Sequence, residues 1–163
     1  MIIYIFRHAQ KAMDFSGDPD LTDVGHGQAL LLLKKVLNVE LPTPTQLWTS
    51  PKARAQSTFR PLAHHLKIPL QLQDSLLEQT SDEDMSAFRE RVRRVLEQTA
   101  TLKNEVIFVC SHYDWVVEAM AVIPTDKDTS EADFSHWTPA QHVGFKLNDD
   151  GIFEYIELKR ISL

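Results

Sequence analysis

The sequence predicts a three-layer α/β/α sandwich with a mostly parallel central sheet. Three observations predict it. Short apolar runs alternate with longer amphipathic ones, the pattern of strands feeding crossover helices. The first run, Met1–Phe6, is apolar throughout, as a strand buried on both faces requires. The chain has 163 residues, one domain's worth over 1–163, and a chain near that size buries roughly 70% of its unfolded surface. The elements follow in order. Thr22 to Leu37 reads as a helix with Thr22 as its N-cap and Leu30–Leu33 as a buried run. Gln46–Thr49 reads as a strand. Ser50-Pro51 then opens a helix, serine capping and proline first, and Pro61 ends or kinks it. Leu70–Leu72 is a short strand candidate. Ser81 caps a long helix, with Asp84 as a capping-box partner. Its apolar face is Met85, Phe88, Val92, Val95, Leu96 and Thr99. Glu105–Cys110 is a β-rich run, and a helix follows near Asp114–Ile123. Val143–Leu147 and Ile152–Leu158 flank Asn148-Asp149-Asp150-Gly151, a hairpin signal.

Composition narrows the function. Lys and Arg number 17 against 23 Asp and Glu, a net charge of −6. That balance argues against nucleic-acid or anionic-membrane binding, which needs a basic surface field. The six apolar residues before Arg7 are too short for a signal peptide, and no run reaches a membrane span. A cytoplasmic protein is expected. Cys110 is the only cysteine, so no internal disulfide forms.

The chemistry concentrates at three strand-to-helix junctions. These are Arg7-His8-Ala9-Gln10-Lys11, Ser50-Pro51-Lys52-Ala53-Arg54 and Ser111-His112. If the strands are parallel, all three lie at the carboxyl edge of the sheet, where open α/β folds bind ligands. Two guanidiniums offer planar forks that match phosphate oxygens. A helix opening at Pro51 adds unpaired N–H groups favourable to an anion. Cationic neighbours keep an imidazole neutral and therefore nucleophilic, and a second histidine can stabilise developing charge on the phosphoryl oxygens.

Arg7-His8-Ala9, Ser50-Pro51-x-x-Arg54-Ala55-x-x-Thr58 and Ser111-His112 resemble, in order and spacing, the signature of the histidine phosphatase superfamily, the phosphoglycerate-mutase-like proteins. Leu21-Thr22-x-x-Gly25 with Gln28-Ala29 is similar to that family's segment before its first helix, and the likeness runs from residue 2 to about 147. The length resembles the small branch that includes bacterial phosphohistidine phosphatases. The resemblance implies a phosphoglycerate-mutase-like fold. It implies His8 as the nucleophile, Arg7 and Arg54 as phosphate holders and His112 as the second pocket histidine. Leu76-Leu77-Glu78 is similar to the family's Leu-x-Glu segment, making Glu78 the candidate general acid, with Asp114 a competitor or a helix cap. Ala9 stands where the family has glycine, a departure shared by the small branch, and Lys11 adds a nearby cation. No large insertion separates Glu78 from the strand at Glu105, which suits an uncovered pocket.

The implied function is hydrolysis of phosphate monoesters or protein phosphohistidine through phosphohistidine at His8, with no metal or cofactor. Its partner is a phosphorylated small molecule or a phosphoprotein. Two alternatives stay open, a mutase-type phosphotransferase and a phosphate-binding module without turnover. Other motifs fail. His26, His64, His65, His136 and His142 lack metal-ligand spacing, and adjacent helical histidines point about 100° apart. Gly25-His26-Gly27 lacks the further glycine of a dinucleotide site, and no G-x-x-x-x-G-K loop or G-x-S-x-G elbow is present. Cys110 reads as a buried apolar residue, and Trp115 and Trp137 as buried tryptophans.

Overall fold

Alternation along the first strand divides the interior in two. Ile3 and Ile5 turn to one face and Tyr4 and Phe6 to the other, all four buried, because successive strand side chains point opposite ways. The computed structural model describes all 163 residues. Strand β1 (Ile2–Arg7) lies inside a six-stranded sheet with β2 (Gln46–Thr49), β3 (Leu70–Leu72), β4 (Val106–Ser111), β5 (His142–Leu147) and β6 (Phe153–Lys159), in the order β3-β2-β4-β1-β5-β6. The β1, β2, β3 and β4 strands pair in parallel, and β5 runs antiparallel to both β1 and β6. Helices α1 (Asp23–Leu37) and α2 (Ala53–Leu66) pack with Tyr4, Phe6, Leu47 and Phe108. Helices α3 (Met85–Ala100) and α4 (Tyr113–Val122) pack with Ile3, Ile5, Ile107 and Val109. This is the predicted three-layer sandwich.

Local details differ from the sequence expectations. Thr22 caps α1 as expected, its Oγ1 accepting from the Gly25 N–H at 3.0 Å. Within Leu30–Leu33 only Leu32 is fully buried and Leu30 is exposed, because one helix face meets the sheet and the other meets water. The cap of α2 is Lys52, two residues beyond Ser50. Pro61 lies inside α2 and does not end it. The ring forfeits one backbone hydrogen bond, but Phe59 and Leu62 on either side are fully buried, and that packing carries the helix through. Asp84, not Ser81, caps α3, accepting from the Ala87 N–H at 2.8 Å. Met85 consequently falls at the first helical position and is exposed, while Phe88, Val92, Val95, Leu96 and Thr99 are buried.

Candidate active site

Parallel pairing of β1, β4 and β2 brings their carboxyl ends together, with Arg7 in register with Ser111 and Thr49 with Cys110. His8 follows β1 directly. Its N–H donates to the Ser111 carbonyl at 2.9 Å, and its own carbonyl accepts from the Ala140 N–H at 3.1 Å. The ring is buried, and Nδ1 lies 2.7 Å from the Ala9 carbonyl oxygen. A carbonyl only accepts, so Nδ1 carries the proton and Nε2 keeps its lone pair. Burial above all, then His112, Arg54 and Arg7, push the His8 pKa down to about 3 against the Ala9 bond that raises it. The imidazole is therefore neutral near pH 7.

The neighbouring motif residues hold this segment still. Ala9 is fully buried and its backbone avoids the left-handed region, so the methyl group is accommodated where the family has glycine. The Ala9 N–H donates to Thr58 Oγ1 at 2.9 Å, and that hydroxyl donates to the Arg54 carbonyl at 2.8 Å. Arg54 and Thr58 are one helical turn apart, which explains their four-residue spacing. The Gln10 N–H donates to Gln28 Oε1 at 2.9 Å, and its carbonyl accepts from the Thr22 N–H at 2.9 Å. Gly25 is required there, since a Cβ would stand 2.2 Å from the Gln10 carbonyl oxygen.

The charged groups gather around His8. The His8 and His112 ring centroids are 5.3 Å apart. His112 begins α4, and its Nε2 shares a 2.8 Å hydrogen bond with Ser50 Oγ. Its Nδ1 is 3.1 Å from Glu78 Oε1, within ion-pair reach but not aligned for a hydrogen bond. Arg54 pairs with Glu78 through NH2, and its NH1 lies 3.7 Å from Asp18 Oδ1. Arg7 donates to the Trp137 carbonyl and lies over the Tyr113 ring at 5.3 Å. The Nε atoms of Arg7 and Arg54 are buried donors without a protein partner. The His112 ring first, and then Arg54, hold the Glu78 carboxyl down to about 2 despite partial burial. Near neutrality Glu78 is ionised, so donating a proton first requires another group to take over His112 and Arg54.

Residues 3–82 match the sequence model described as Histidine phosphatase superfamily (branch 1), a span that contains Arg7, His8, Arg54 and Glu78. That model covers the first half of the chain, which is similar to the histidine phosphatase superfamily there. No curated protein matches it closely enough to count. Among solved structures it is similar to the protein histidine phosphatase SixA complexed with tungstate, with a TM-score of 0.76 at 20% identity over 98% of this chain and 97% of that one. It also resembles the phosphoserine phosphatase of Entamoeba histolytica in complex with 3-phosphoglyceric acid (TM-score 0.75, 12% identity, 97% and 96% covered). A third is Bacillus stearothermophilus YhfR (TM-score 0.72, 17% identity, 94% of each). At these identities the structural matches speak for the phosphoglycerate-mutase-like fold.

The structure brings together all five residues named from sequence: Arg7, His8, Arg54, Glu78 and His112. Asp114 instead serves the backbone, accepting from the Trp115 N–H and from the Gln79 N–H, each at 2.8 Å, and so steadies the loop of Glu78. His26, His64, His65 and His136 are exposed, and no cluster of metal-binding side chains forms. Cys110 is fully buried, and burial raises its thiol pKa. Trp115 and Trp137 are buried, the latter meeting the site through its carbonyl. Sequence reasoning missed Asp18, Tyr113 and Arg91. Asp18 lies in a loop without periodicity, and nothing local marked it. Tyr113 follows His112 directly, so the junction itself was the available signal.

Proposed function

We propose that this protein is a metal-independent phosphatase that passes the phosphoryl group of its substrate to His8 and then to water. One observation carries the reading: His8 Nε2 holds a free lone pair, its ring proton fixed on the Ala9 carbonyl, beside buried Arg54 and half-buried Arg7. Arg7, Arg54 and His112 hold the phosphoryl oxygens and balance their developing charge. His8 Nε2 attacks phosphorus, the N–P bond forms and the bond to the leaving group breaks. The arriving phosphoryl group displaces Glu78 from both His112 and Arg54, and the carboxyl pKa climbs toward its ordinary range. Glu78 then takes up a proton and delivers it to the leaving atom. A water next attacks phosphorus as the N–P bond breaks. Its proton passes to Glu78, and inorganic phosphate departs with His8 restored.

The half-exposed Glu78 leaves water a path to the intermediate, which favours hydrolysis over mutase chemistry. The reading comprises one catalytic domain over residues 1–163, acting in the cytoplasm on a phosphorylated small molecule or phosphoprotein. The test uses purified protein with chelator, an aryl phosphate and a phosphorylated histidine protein. Turnover with an acid-labile phosphoenzyme is expected, and His8→Ala should lose both. Full turnover by His8→Ala excludes His8 as nucleophile, and anion binding without turnover by the native protein indicates a binding module.

A further inference from the structure

The carboxylates at the mouth of the site carry a second conclusion, which rests on the phosphatase reading above. Asp18 comes from the loop between β1 and α1. Both its oxygens accept from the Ala53 N–H at the start of α2, at 3.1 and 3.2 Å, and Oδ1 lies 3.7 Å from Arg54 NH1. Glu78 holds the other terminal nitrogen of the same guanidinium. The Arg54 side chain is 5% exposed, whereas both carboxylates are 46% exposed. The guanidinium is therefore inside, and the two anions stand between it and solvent.

The inward side carries the opposite character. Arg7 Nε and Arg54 Nε are buried donors without a protein partner. Phosphoryl oxygens belong against those donors, so the rest of the substrate passes out along the rim of Asp18 and Glu78. Lys52, at the same helix start, pairs with neither carboxylate. We infer that Asp18, together with Glu78, selects substrates whose leaving group carries a positive charge near the phosphoryl group and disfavours anionic leaving groups. Asp18 is a specificity-determining residue and takes no part in bond making. At roughly 6–8 Å with the near-water screening of a half-exposed carboxylate, one such charge changes the preference between a cationic and an anionic group by about tenfold.

Ethanolamine phosphate and phosphoglycolate test this, being close in size and opposite in leaving-group charge. The native protein should show the higher kcat/KM for ethanolamine phosphate. Asp18→Asn keeps an acceptor for the Ala53 N–H and should lower that preference about tenfold. Asp18→Glu should restore most of it. A native preference for phosphoglycolate overturns the inference, as does an equal effect of Asp18→Asn on both esters. Calorimetric affinities of the two esters give the same ratio without turnover. Loss of the phosphatase reading would instead appear as absence of His8-dependent aryl phosphate hydrolysis.

Discussion

His142 makes neither catalytic nor polar contacts with its ring. It is buried in β5, stacked on Phe6 with centroids 4.9 Å apart, and neither ring nitrogen has a hydrogen-bond partner. Burial pushes its pKa down to about 4, against the charge of Glu157 and the Ala140 backbone, which raise it. An unfolded histidine titrates near 6.5. Between those values the unfolded chain binds a proton that the native protein refuses. Stability is therefore complete above about pH 6.5 and is lost as the pH falls toward 4, by up to about 1.4 kcal/mol per pH unit for this one group. His8, pushed to about 3, adds the same sign of dependence. His142→Phe keeps the stacked ring and removes the titration. Urea unfolding at pH 7.5 and pH 5 should show the variant losing about 1–2 kcal/mol less than the native protein across that interval. Equal losses would mean that His142 is solvated in the native state. The sequence excluded a metal role for His142 through its spacing, but its burial depends on which face of β5 meets Phe6, and pairing alone decides that.

At the scale of elements, α3 controls the loop that carries Glu78. Arg91 donates to the carbonyls of Ser75, Leu77 and Glu78 at 2.9, 2.9 and 3.1 Å and pairs with Glu83. One planar guanidinium thus fixes three carbonyls within four residues, a fork that the point charge of an ammonium does not reproduce. Arg91→Lys should lower stability by about 1–3 kcal/mol, since several carbonyls lose a charged donor. It should also slow phenyl phosphate more than dinitrophenyl phosphate, because only the poorer leaving group needs the proton of Glu78. An equal slowing of both esters would assign Arg91 a structural role alone. The helix itself was legible in the spacing of Phe88, Val92, Val95 and Leu96. Its start was not, because Ser81 and Asp84 are both competent caps and only the folded turn chooses between them. Nothing in the sequence marked Arg91, since periodicity identifies the buried face and is silent about where a long polar side chain reaches.

Across the molecule, the site is assembled from four separate stretches: the end of β1, the start of α2, the loop of Glu78 and the β4–α4 junction. The convergence was legible because each parallel strand delivers its carboxyl end to one edge, so that His8, Arg54 and His112 follow from strand direction. Asp18 was not, because its place depends on a loop path set by the Lys11–Leu21 bridge and by contacts with Ala53 and Arg54. Anion binding at such a junction stabilises the native state of every participating segment at once. An oxyanion at one hundred times its Kd adds about 2.7 kcal/mol, and for a chain of this size raises Tm by roughly 5–10 °C. Tungstate or phosphate should produce that shift. Chloride at matched ionic strength should not, because the surface carries a net charge of −6 and offers no general attraction for anions. Under the proposed function Arg54 holds the anion, so Arg54→Ala should abolish the tungstate shift, after its own lower Tm is allowed for. A shift that survives Arg54→Ala would place the anion somewhere other than between His8 and His112.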